Sequence, residues 1–88
     1  MEVSFAPSFV RLYKSLPIPL QWEVKEKIRL FRDPKNHQGL NVHKLRGQLH
    51  EQYSFRVNYQ IRIVFWYPKT KPKEAILLAV GDHDVYDR

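Results

Sequence analysis

A chain of 88 residues has room for one domain, residues 1–88, with one modest hydrophobic core. Hydrophobic residues (43%) and aromatic residues (14%) are too abundant for a disordered polymer, and the absence of cysteine excludes both a disulfide framework and a thiolate metal site. The net charge of +6 is unevenly spread: from Lys35 to Lys73 eight Lys or Arg residues stand against one acid, Glu51, a local balance of +7 that favours polyanionic partners.

Residues 2–6 alternate in polarity and predict a short strand. Pro7 suits the first turn of a helix, where its missing N–H costs nothing, and Phe9, Leu12, Tyr13 and Leu16 recur at helical spacing until Pro17 closes the element. A second helix is expected from about Ile18 to Arg32. Leu20, Val24, Ile28 and Phe31 form its apolar stripe, Glu23 and Lys27 are spaced for an i,i+4 ion pair, and Asp33-Pro34 ends it. The segment Lys35–Gly47 is polar and reads mostly as loop. Three strands follow, at Tyr53–Val57, Gln60–Tyr67 and Glu74–Val80; the last is nearly all apolar, as for a central strand covered on both faces. The pattern is α+β, β-α-α-β-β-β: a helical hairpin on one face of a twisted, mainly antiparallel, four-stranded sheet. The longest apolar run, Ala75 to Val80, is six residues, too short to span a membrane, and Met1-Glu2-Val3-Ser4 has no signal-peptide character; a cytoplasmic location is expected.

The hydrophobic alternation also predicts a register. A two-residue turn at Asn58-Tyr59 would set Phe55 against Arg62 and mix the faces at every step. A three-residue loop, Asn58-Tyr59-Gln60, instead pairs Val57 with Ile61, Phe55 with Ile63 and Tyr53 with Phe65. Arg56 then faces Arg62 on the opposite side, with Cβ atoms roughly 5 Å apart. Like charges so placed repel, and neither arginine has an acidic neighbour along its strand. Two parallel guanidiniums form a fork suited to a phosphate group.

Four stretches together resemble the RelE/ParE toxin superfamily: Lys44-Leu45-Arg46-Gly47; Tyr53-Ser54-Phe55-Arg56-Val57; Tyr59-Gln60-Ile61-Arg62-Ile63-Val64-Phe65; and Val80-Gly81-Asp82-His83-Asp84-Val85-Tyr86. Their order and spacing cover nearly the whole chain. The resemblance implies the toxin of a type II toxin–antitoxin pair, held by a cognate antitoxin. For the RelE-like branch it implies cleavage of messenger RNA, often in the ribosomal decoding site. The RNA's own 2′-hydroxyl would attack the adjacent phosphate, without metal or other cofactor. By position, Arg56 and Arg62 match strand residues that hold the scissile phosphate, His83 a histidine or arginine acting as acid or charge stabiliser, and Tyr86 a C-terminal aromatic near the site. RelE-type members carry lysines on the first strand of this hairpin; here Ser54 stands in one of those places and Arg56 in the other. Arginine stays protonated at neutral pH, so Arg56 is no general base. A ParE-like gyrase inhibitor without nuclease activity, or an inactive member that only binds nucleic acid or a partner, is the alternative.

His83 lies between Asp82 and Asp84, which favour its protonated form and suit an acid that protonates a leaving 5′-oxygen. His43 and His50 flank the Lys44–Leu49 segment, and either is a candidate base. Lys44, Arg46, His50 and Ser54 complete the expected RNA-binding set, with backbone contacts that carry no sequence information. No two histidines have i,i+4 ligand spacing, and no metal site is expected.

Overall fold

The structure, a computed structural model, describes residues 1–46, 51–69, 74–82 and 85. Its elements in chain order are β1 (Glu2–Phe5), α1 (Pro7–Lys14), α2 (Ile18–Phe31), a single 3-10 turn (Pro34–Asn36), β2 (His43–Lys44), β3 (Tyr53–Arg56), β4 (Arg62–Trp66) and β5 (Glu74–Gly81). The strands form one sheet in the order β1-β5-β4-β3-β2, with β1 parallel to β5 and every other neighbour antiparallel. Among the described residues the expected four strands are therefore five. The added strand, β2, is two residues long and lies in the segment read as loop, where no alternation marks it. Pairing with β3 creates it: His43 is in register with Ser54 and Lys44 with Tyr53, and Leu45 N–H donates to Gln52 O at 2.8 Å.

Both helices begin on proline chemistry. Pro7 occupies the first turn of α1, and Pro17 precedes α2, whose first turn holds Pro19. These prolines lack the N–H groups that a helix start leaves unpaired anyway. At its other end α2 gives way to Asp33, whose carboxylate accepts from Lys35 N–H at 3.0 Å and starts the 3-10 turn.

The apolar stripe of α2 meets the sheet as the spacing predicts. Val24, Ile28 and Phe31 are buried with Phe9 of α1, and beneath them lie Phe55, Ile63, Phe65, Ala75, Leu77 and Val80. Phe31 is the hub. Its ring stacks on Phe55 at 4.3 Å and on His37 at 4.8 Å and meets Phe65 edge-on at 4.8 Å. His37 is held there by a 2.8 Å hydrogen bond between its Nε2 and Phe31 O.

Two expectations about surfaces are corrected. Glu23 does not pair with Lys27; it accepts a 2.8 Å hydrogen bond from the side-chain amide of Asn58, tying the β3–β4 loop to α2. The ion pair seen on α2 is Glu26 with Arg29, whose guanidinium holds the Glu26 carboxyl below its ordinary range; both side chains are exposed, so the pair adds little to stability. In β5, Ala75, Leu77 and Val80 are buried on the helix side, whereas Ile76, Leu78 and Ala79 are only half-buried, so the second face is incompletely covered.

At the end of the aromatic cluster Tyr67 packs edge-on against Phe65 and Tyr53. Burial, then the neighbouring Tyr53 phenol, raises the Tyr67 pKa above the ordinary 10.0. The folded chain thus favours the neutral phenol, and that contribution to stability is present below pH about 10 and lost as pH climbs through the raised value. Melting curves collected between pH 9 and 11.5 should fall more steeply for the parent chain than for Tyr67→Phe.

Candidate nucleic-acid interface

The register of the β3–β4 hairpin agrees with the pattern of alternation. Tyr53 pairs with Phe65, Phe55 with Ile63, and Arg56 with Arg62. The loop is the three residues Asn58, Tyr59 and Gln60, closed by a 2.9 Å bond from Val57 N–H to Ile61 O. Asn58 holds its shape: the side-chain oxygen accepts from the N–H groups of Gln60 and Ile61, both at 2.8 Å. Such an Asx arrangement is why asparagine suits the first position of a tight loop.

Two rows of side chains cross the sheet face that carries no helix. One runs Arg56, Arg62, Gly81; the other, two residues along each strand, runs His43, Ser54, Val64, Ala79. Arg56 is exposed and Arg62 half-buried. Arg62 donates from Nη1 to Asn58 O and, at 3.3 Å, to Ile61 O, so part of its guanidinium is anchored on the loop. Among the described residues no carboxylate forms an ion pair with either arginine. Beyond Arg62 the row ends at Gly81, where a Cβ would lie 3.6 Å from the Val85 side chain. Val85 is buried, and its N–H donates to Asp82 O at 3.0 Å. Val85 therefore lies over the arginine face at Gly81.

In the second row His43 is held in a defined tautomer. Its Nδ1 lies 2.8 Å from Asn41 O. A carbonyl oxygen only accepts, so Nδ1 carries the proton and Nε2 of the neutral ring keeps its lone pair. The Ser54 hydroxyl lies 3.4 Å from that Nε2. Asn41 presents its carbonyl from the left-handed backbone region, with φ of 57°, a conformation that asparagine tolerates better than most side chains.

The expected site residues thus divide. Arg56 and Arg62 come together, with Ser54 and His43 in the adjacent row. Ser54 is fully buried, so it touches His43 rather than open solvent. Lys44 is exposed but in register with Tyr53, which puts it on the helix side of the sheet, and Arg46 is exposed just past β2. His50, His83 and Tyr86 lie outside the described residues. His43 is the residue whose standing rises most: as sequence it is one of two loop histidines, and only the short strand and the Asn41 turn give its ring a direction. Among the described residues no three His, Asp or Glu side chains cluster as a metal site would require.

No protein-family model and no curated protein matches the sequence. Solved structures do. YafQ from E. coli strain BL21(DE3) superposes with a TM-score of 0.76 at 10% identity, covering 97% of this chain and 96% of its own. The toxin–antitoxin complex YoeB-YefM from Staphylococcus aureus gives 0.70 at 18%, with 94% and 97% covered. The archaeal RelE-RelB complex from Pyrococcus horikoshii OT3 gives 0.64 at 19%, with 92% of each chain covered. The chain therefore has the fold of RelE/ParE-type toxins, end to end. Among the described residues no helix is long and apolar enough to cross a membrane.

Proposed function

We propose that this chain is the toxin of a toxin–antitoxin pair, acts as one cytoplasmic domain, and cuts messenger RNA by intramolecular attack. The observation that carries this reading is the pairing of Arg56 with Arg62, two cations held in register on an open sheet face with no carboxylate partner among the described residues. A fold gains nothing from that arrangement, since like charges directly opposite destabilise a hairpin. A phosphate binder gains a fork of donors from two guanidiniums held side by side.

The chemistry follows from the positions. The 2′-oxygen of one ribose attacks the adjacent phosphorus. Its proton passes to a base, and the His43 Nε2 lone pair, steadied by Asn41 and Ser54, is suited to receive it. Negative charge on the five-coordinate phosphorus falls between the Arg56 and Arg62 guanidiniums. The bond to the 5′-oxygen breaks, and that oxygen takes a proton from His83, which follows Asp82 in the sequence. The products are a 2′,3′-cyclic phosphate and a free 5′-hydroxyl. The nucleophile belongs to the substrate, so the mechanism calls for no metal or other cofactor. Arg46, with Tyr86 and His50, is assigned to RNA contact, whereas Lys44, on the helix side of the sheet, adds only long-range, salt-sensitive attraction.

The deciding experiment induces the chain alone in a bacterium and maps message ends by primer extension, beside Arg62→Ala, His43→Ala and His83→Ala versions. New cuts that disappear in Arg62→Ala and weaken strongly in both histidine variants support the reading. Arrested growth with intact messages and altered DNA supercoiling would transfer the chain to the gyrase-directed class. Normal growth would count against both.

A further inference from the structure

Beyond the arginine and histidine rows, the helix-free face of the sheet carries a third row: Trp66 of β4, Ile76 of β5 and Ser4 of β1. Trp66 shares this face with Arg62 and Val64, because side chains two residues apart on a strand point the same way. The next residue, Tyr67, turns to the helix side and packs its ring against Phe65 and Tyr53. Trp66 is half-buried and, among the described residues, packs on no other ring. The strip that leads to it from the arginines is apolar, made by Val64, Ala79 and Ile76. Past it stands Glu74, whose carboxylate accepts a hydrogen bond from the Ser4 hydroxyl. An apolar strip that ends on a carboxylate suits a neutral aromatic base and disfavours a second phosphate.

We infer that Trp66 is a base-stacking subsite, and that it takes the base on the 5′ side of the scissile bond. The choice of side rests on the function proposed above; the stacking surface does not. The reacting 2′-hydroxyl belongs to the nucleotide upstream of the phosphate. Arg56 and Arg62 hold that phosphate in the first row, and His43 receives the hydroxyl proton in the second. The RNA therefore runs toward its 5′ end as it passes from the first row to the second. Rows are two residues, about 6.6 Å, apart along a strand, which puts Trp66 about 13 Å from Arg62. The base carried by the reacting ribose falls there. An indole face reads no base edge, so it favours purines through their larger stacking area without selecting a sequence.

The test uses the full chain and an adenylyl dinucleotide whose 5′ residue is 2′-deoxy, so that it binds without being cut. Its single phosphate fixes the register. Two further dinucleotides lack either the 5′ base or the 3′ base. The chain has two tryptophans, and Trp22, 68% exposed on α2, is replaced in Trp22→Phe so that all tryptophan emission comes from Trp66. The complete dinucleotide and the one lacking its 3′ base should quench that emission saturably, and the one lacking its 5′ base should not. Trp66→Leu keeps an apolar side chain beside Ile76 and should weaken binding of the complete dinucleotide about fivefold or more, read by ligand-observed NMR. Trp66→Phe should recover part of the loss, and neither change should matter for the dinucleotide without a 5′ base. Arg62-dependent binding that leaves Trp66 emission unchanged overturns the inference and spares the nuclease reading. Quenching that needs the 3′ base overturns it too, as does failure of every dinucleotide to bind at millimolar concentration. Quenching that needs the 5′ base, in a chain that leaves messages intact, upholds the subsite and removes the nuclease reading.

Discussion

Arg56→Ala should unfold at the same or a higher urea concentration than the parent chain while cutting RNA about 10²–10³-fold more slowly, the usual loss when one preorganised charge stabiliser is removed. The two halves of this result come from one geometry. Arg56 is exposed and stands opposite Arg62 across the β3–β4 hairpin. Removing one of two like charges at a cross-strand pair relieves repulsion worth about 0.2–1 kcal/mol. A residue kept for the fold would show the reverse: loss of stability first, and loss of activity only as a consequence. Arg62→Ala is expected to lose as much activity but to gain less stability, because its guanidinium also ties down the loop through Asn58 O and Ile61 O. Urea titrations and cleavage rates on the same preparations give both coordinates. A loss of several kcal/mol in Arg56→Ala would place that arginine in the scaffold and remove the main support for the phosphate site.

The largest effect on folding should come from Phe31→Ala, at about 3–5 kcal/mol for an emptied aromatic site. Total stability of a small domain is about 5–15 kcal/mol, so this variant should be partly unfolded at growth temperature. Phe31 is fully buried and joins three rings from different parts of the chain: His37 from the segment after α2, Phe55 from β3 and Phe65 from β4. Its removal unpacks the helix layer from the sheet rather than trimming one contact. Phe31→Leu fills much of the volume and should cost less than half as much. Urea denaturation followed by far-ultraviolet circular dichroism resolves the two. Equal midpoints for Phe31→Ala and the parent would mean that the core relaxes around the loss.

Much of the fold is written in periodicity. The α2 stripe and the β3–β4 register both follow from apolar residues that share a single face, and a slip of one residue would bury Arg56 and Arg62. The features that escape such reading lack that repetition. A two-residue strand has no alternation, so β2 is invisible until it meets β3. The value of His43 depends on a backbone φ at Asn41 and on a partner eleven residues away, Ser54. The side on which Lys44 emerges depends on β2 existing at all.

One further consequence comes from the place of β1 in the sheet. The first strand lies parallel against the last, with the Ser4 hydroxyl bonded to Glu74, 70 residues later. A contact so distant in sequence is among the slowest to close, because most of the chain must be ordered around it. During synthesis the sheet stays open on that side until β5 has left the ribosome. A chain halted before Glu74 would expose the apolar underside of its helices and the edge of β4, a form more prone to aggregate than to act.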